Sequence, residues 1–139
     1  MSLDLIVVTP QGEVFAETVD QVVLPGSEGD FGVLEEHEKF LSPLRAGPME
    51  IQLSSGTTEW AAISEGFAEV TGKKIVVLVD ECFKAHEIDV DHAQHTRSEA
   101  ERELSELLVS IDTQDRRQAL EDAIVRLSVQ IEVGGRRRA

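Results

Sequence analysis

Two hydrophobic rhythms divide the chain. From Leu3 to about Lys84, apolar runs of strand length alternate with turn chemistry: LDLIVVT, the run from Val14 to Leu24, PMEIQL, TEWAAIS, GFAEVT and KIVVLVD. Alternation is clearest in Thr18-Val19-Asp20-Gln21-Val22 and Phe67-Ala68-Glu69-Val70-Thr71, which assigns one face to a core and the other to water. Ser54-Ser55-Gly56, Ser64-Glu65-Gly66 and Thr71-Gly72-Lys73 lie between runs and read as tight hairpin turns. Strands at this spacing predict an antiparallel β-sandwich or flattened barrel over residues 1–85.

After Ala85 the period becomes helical. Ala93, Ala100, Leu104, Leu107 and Leu108 form one stripe, with Asp89 or Asp91 placed to cap its start. Leu120, Ala123, Ile124, Leu127 and Ile131 form a second, entered past Asp112 or Thr113 and stopped, on this reading, by Gly134-Gly135. Residues 86–139 therefore predict an antiparallel two-helix hairpin with a basic tail. Both stripes are narrow and carry alanines, so the hairpin is expected to grip the sandwich weakly and to be the more mobile part.

Composition sharpens this picture. The chain has 139 residues, enough for one domain or for a small domain with an appendage, and a formal net charge of −14 that repels nucleic acid. No apolar run approaches the ~20 residues of a membrane helix, and no secretory signal pattern opens the chain, so direct membrane insertion is not expected. The single cysteine, Cys82, excludes an internal disulfide and reads as filler at a strand end. Positive charge gathers late, at Arg116, Arg117, Arg126 and Arg136 to Arg138, which suits docking to an acidic partner.

The stretch LPGSEGDFGVLEEHEKFLSPLRAG, residues 24–47, spaces Gly26, Gly29 and Gly32 like a phosphate loop. Glu28 and Asp30 between those glycines, and the lack of a following helical period, argue instead for a turn region in which Pro25 ends a strand. His86, Glu87, Asp89, Asp91, His92 and His95 crowd together, but His-x-x-His lacks the ligand number of a zinc site, and the acids suit a helix start. Neither a nucleophile elbow nor a catalytic-thiol signature is present. An interaction or regulatory subunit, rather than an enzyme, is the expected class.

Leu24-Pro25-Gly26, Gly29, Phe31-Gly32-Val33-Leu34, His37, Leu41, Leu44 and Gly47, followed by Ile63-Ser64-x-Gly66-Phe67-Ala68-Glu69-Val70, resemble the epsilon subunit of bacterial F-type ATP synthases. The opening LIVVTPQGEVF and the later AHEIDVDHAQ extend the resemblance over nearly the whole chain. It implies a sandwich followed by a helical hairpin, in a non-catalytic central-stalk subunit of a proton-driven rotor. The implied partners are the gamma subunit, the c-subunit ring and, through an extended hairpin that restrains ATP hydrolysis, the alpha and beta subunits. The implied location is peripheral, on the cytoplasmic face of the bacterial inner membrane. A free-standing acidic sandwich adaptor whose hairpin binds another protein is the alternative.

On this resemblance the gamma and c-ring surface is expected at Glu28, Asp30, Phe31, Glu35, Glu36, His37 and Leu41. Arg116, Arg117 and Arg126 are expected to meet the catalytic subunits. Some relatives bind ATP on the hairpin through Ile-Asp-x-x-Arg; the matching residues here are Ile88, Asp89 and His92, with Arg126 a possible contributor. Histidine lacks the always-charged guanidinium fork, so no cofactor is expected. Glu35-Glu36 stands where the family usually has Pro-Gly, Lys39 where it often has proline, and Glu65 where it commonly has glycine.

Overall fold

The computed structural model describes residues 2–33 and 37–136, with His37 and Glu38 described for their backbone alone. The strands are β1 (Leu3–Thr9), β2 (Gly12–Val19), β3 (Gln21–Gly26), β4 (Gly29–Val33), β5 (His37–Leu44), β6 (Gly47–Gln52), β7 (Thr58–Ile63), β8 (Gly66–Gly72), β9 (Lys74–Val79) and β10 (Cys82–Lys84). A 3-10 turn, Ala85–Glu87, leads into α1 (Val90–Glu106), and a second, Ile111–Thr113, into α2 (Gln114–Gly135).

Hydrogen bonding runs in the order β10-β7-β6-β3-β5-β8-β9-β1-β2, with β4 also paired to β3. The β1–β9 pair is parallel and the remaining pairs are antiparallel. One layer comprises β5, β8, β9, β1 and β2, the other β4, β3, β6, β7 and β10, and the contact of Gly26 with Leu44 joins them. The layers close over Leu3, Leu5 and Val7 of β1, Leu24 of β3, Met49 and Ile51 of β6, Val70 of β8 and Ile75 and Val77 of β9. This is the sandwich that the period-2 pattern predicts, because the alternate residues of β1, β6 and β9 face inward.

Several sequence expectations change. The run from Val14 to Leu24 is two strands in different layers: the chain breaks at Asp20, whose amide donates to the Gln52 carbonyl at 2.8 Å. The glycine-rich stretch is not a loop but mostly strand. Pro25 does not end β3; it lies inside it, paired with Asp30, and Gly26 and Gly29 flank a two-residue Ser27-Glu28 turn. Gly29 takes φ +137°, which only glycine adopts without strain.

Ser64-Glu65-Gly66 is likewise no hairpin turn, since β7 pairs with β6 and β10 whereas β8 pairs with β5 and β9. It crosses from one layer to the other. The buried Ser64 hydroxyl oxygen accepts the amides of Asp80 and Glu81, each at 2.9 Å, tying the crossing to the β9–β10 turn. At Gly66 any Cβ would overlap the Leu78 carbonyl.

The hairpin forms as expected, with one difference at its end. Asp89 caps α1 by accepting the His92 amide at 3.1 Å. Gly134 and Gly135 do not stop α2 but belong to it, and Arg136 follows as its cap. Gly134 is instead a point of close approach: a Cβ there would stand 2.5 Å from Val90 Cγ2 and 3.1 Å from Ile88 Cγ2. Tertiary packing, not helix termination, accounts for the glycine.

Candidate functional site: an apolar sheet face and a docked hairpin

The outer face of β5, β8, β9 and β1 is unusually apolar. Pairing places Pro43, Phe67, Leu78 and Val8 in one row across four strands, and Leu41, Glu69, Val76 and Ile6 in the next. Leu41, Phe67 and Leu78 are 64%, 52% and 45% exposed, and Ile6, Val8 and Val76 are half-buried. Only Glu69 interrupts the two rows with a charge. On a chain of net charge −14 such a face is expensive to leave wet, and a contiguous apolar patch marks an interaction surface. A signal for it lay in the sequence: Leu5 to Val8 and Ile75 to Val79 are continuous apolar runs, the pattern of strands covered on both faces.

Of the residues expected at the gamma and c-ring surface, Glu28 and Asp30 lie on the neighbouring rim. Glu28 sits exposed in the Ser27-Glu28 turn, and Asp30 accepts from Arg45 at 2.8 Å in an exposed ion pair. Phe31 turns inward against the core and meets Phe40 edge-on, ring centroids 5.7 Å apart. Leu41 belongs to the apolar face. Glu35 and Glu36 lie outside the described residues, as does the side chain of His37.

The hairpin docks through the last third of α2. Val129 and Val133 enter a second apolar cluster with Ala62 of β7, Ala85 and Ile88, flanked by Trp60 and Val90. The Arg136 guanidinium lies 4.1 Å from the Trp60 ring centroid, a cation–π contact over the edge of the seam. Arg126 meets Glu65 of the β7–β8 crossing, its Nε donating at 3.0 Å, and stands 3.7 Å from Asp80. The bond to Glu65 holds the Arg126 guanidinium above its ordinary pKa.

The other predicted arginines are engaged within the hairpin. Arg116 forms a two-pronged pair with Glu103 of α1, at 2.6 and 2.7 Å, which lowers the Glu103 pKa and raises its own. Arg117 donates to the Leu107 carbonyl at 3.3 Å. Of the residues matching the nucleotide motif, Ile88 is buried under α2, Asp89 is used as the cap, His92 is exposed on the first turn of α1, and Arg126 is used on Glu65. The described His, Cys, Asp and Glu side chains form no cluster of three able to hold a metal ion. Burial, with Glu87 nearby, pushes the Cys82 thiol up to about 11, so it packs as an inert filler.

The family described as "ATP synthase, Delta/Epsilon chain, beta-sandwich domain" matches residues 2–85. The ATP synthase epsilon chain of Nitratidesulfovibrio vulgaris (strain DP4) is 39% identical over 128 residues, covering 92% of this chain and 95% of that one. That of Syntrophobacter fumaroxidans is 39% identical over 127 residues, covering 91% and 94%. Among solved structures, a chain of the Euglena gracilis mitochondrial ATP synthase superposes with TM-score 0.76 at 22% identity, over 94% of this chain and 79% of that one. A chain of the Tetrahymena thermophila mitochondrial ATP synthase central stalk and c-ring superposes with TM-score 0.64 at 12% identity, over 96% and 97%. At those identities the superpositions establish the shared fold.

Proposed function

The chain belongs to the ATP synthase delta/epsilon family, and from that premise we propose that it is a non-catalytic rotor subunit whose apolar sheet face seats it on the gamma subunit. The observation that carries this reading is the two-row patch from Pro43 to Ile6, an extended surface whose large side chains are left in water by the chain alone. The adjoining rim around Glu28, Asp30 and Phe31 faces the c-subunit ring. Attachment to the membrane is peripheral, through those partners, on the cytoplasmic face; among the described residues no helix is long and apolar enough to cross a membrane.

The hairpin is the regulatory part. Released from the sandwich, it extends toward the alpha and beta subunits and restrains ATP hydrolysis through Arg116, Arg117 and Arg126. Each of these is already matched to an oxygen acceptor in the docked form, so extension exchanges one set of acceptors for another. No nucleotide is assigned to the role, since Asp89 and Arg126 are committed elsewhere and His92 brings no fixed charge.

One titration tests the proposal. A headpiece containing gamma but lacking this subunit is supplied with the whole chain or with a Phe67→Asp, Leu78→Asp double variant, and binding and ATP hydrolysis are followed together. Loss of central apolar anchors should weaken binding ~30-fold or more, and inhibition with it. Equal binding by the two proteins would remove the sheet face as the anchor.

A further inference from the structure

We propose that Arg126 of α2 and the acid pair Glu65 and Asp80 form an electrostatic clasp that holds the hairpin on the sandwich and makes its release sensitive to ionic strength. The two acids stand on separate connections, the β7–β8 crossing and the β9–β10 turn. Ser64 binds those connections into one platform, accepting the Asp80 and Glu81 amides and donating its own amide to the Glu81 carbonyl at 3.0 Å. Gly66 seats the same crossing directly on the Leu78 backbone. The backbone carrying both carboxylates is thus held in place before the helix arrives, which limits what is lost in ordering when it docks.

The remainder of the seam makes the clasp matter. The large α2 side chains buried against the sandwich cluster are Val129 and Val133, and their partners include two alanines, Ala62 and Ala85. α1 reaches the sandwich chiefly through α2, so the pair near the middle of α2 restrains both helices. Arg126 is the more enclosed partner, its side chain 28% exposed against 48% for Glu65 and 67% for Asp80. The charged groups facing it are Glu65, Asp80 and, at longer range, Glu81, all acidic, and together they raise the guanidinium's pKa. A cation held by several acids at a partly open edge is the arrangement that salt screens.

Release can be read as thiol exposure. With Cys82→Ser to silence the natural thiol, Ala62→Cys places a probe at a position 3% exposed beneath α2, and its labelling rate follows the opening of the hairpin. Glu65→Gln should raise labelling ~5-fold at ~0.02 M salt, and Glu65→Gln with Asp80→Asn ~10-fold, in keeping with a partly enclosed charged pair. Raising salt to ~0.5 M should speed the parent far more than these variants. The exchanged pair Glu65→Arg with Arg126→Glu should return labelling toward the parent rate.

Labelling of Glu65→Gln at the parent rate, or an identical salt response in both, would overturn the clasp. If the Ala62→Cys parent labels like a free thiol, hydrogen exchange at residues 129–133 of the otherwise natural chain takes its place, with the same variants and the same two outcomes. The clasp is intramolecular and is read on the isolated chain. Its failure would leave the proposed role in the synthase standing, and failure of that role would leave the clasp standing.

Discussion

Gly134→Ala should weaken docking of the hairpin even though it improves the helix. Replacing glycine by alanine at a helical position stabilises by ~0.4–1 kcal/mol, mainly by restricting the unfolded chain. Against this, the new Cβ would lie 2.5 Å from Val90 Cγ2 and 3.1 Å from Ile88 Cγ2, and those atoms belong to β-branched side chains at the buried seam. Overpacking of this kind costs ~1–3 kcal/mol, so the net loss should be ~0.5–2 kcal/mol. Gly135→Ala is the internal control, because nothing lies within 4 Å of its added Cβ. It should collect the chain-entropy gain alone. Native-state hydrogen exchange along α2 measures both: protection near Val129 and Val133 should fall ~2–30-fold in the first variant and rise in the second. If Gly134→Ala protects as well as Gly135→Ala, the close approach of α2 to Val90 and Ile88 does not hold, and Gly134 reverts to the helix-stop role that its sequence suggests.

Two further outcomes follow from the same geometry. Ser64→Ala removes the acceptor of two partly buried amide bonds and should lower stability by ~1–3 kcal/mol in urea unfolding; an unchanged midpoint would mean those amides find water. Glu103 is held below the usual carboxylate range by its bonds to Arg116, so its contribution to the α1–α2 pairing is fully present above its unfolded pKa and is lost as pH falls through the depressed folded value. Helix content followed through acid titration should therefore drop less steeply in Glu103→Gln, and an identical acid limb in both proteins would contradict the assignment.

Several features were legible in sequence for reasons that stay local. Asp89 caps α1 because a short acid just before a helix can accept from the N3 amide, whatever surrounds it. β6 alternates because its two faces meet different media. The misread elements are those whose residues answer to distant partners. Ser64-Glu65-Gly66 has turn composition but crosses between layers, and its serine is conscripted by the β9–β10 turn. Pro25 looks like a strand terminator, yet it is accommodated inside β3, where its carbonyl accepts the Arg45 amide at 2.9 Å. Glu65 reads as a departure at a turn and proves to be the partner of Arg126, 61 positions later.

The sequence by itself determined the two periods, the sandwich followed by the hairpin, the sparse apolar stripe of the helices and the family, because patterning and motif spacing are properties of the chain read in order. Tertiary structure alone decided which strands share a layer, that Pro43, Phe67, Leu78 and Val8 align into one exposed row, and that Arg126 faces Glu65 and Asp80. Period-2 alternation tells which side of a strand is wet but not which strand lies beside it. A surface assembled from four strands, and a charge pair across the seam, exist only once the register and the docking angle of α2 are set.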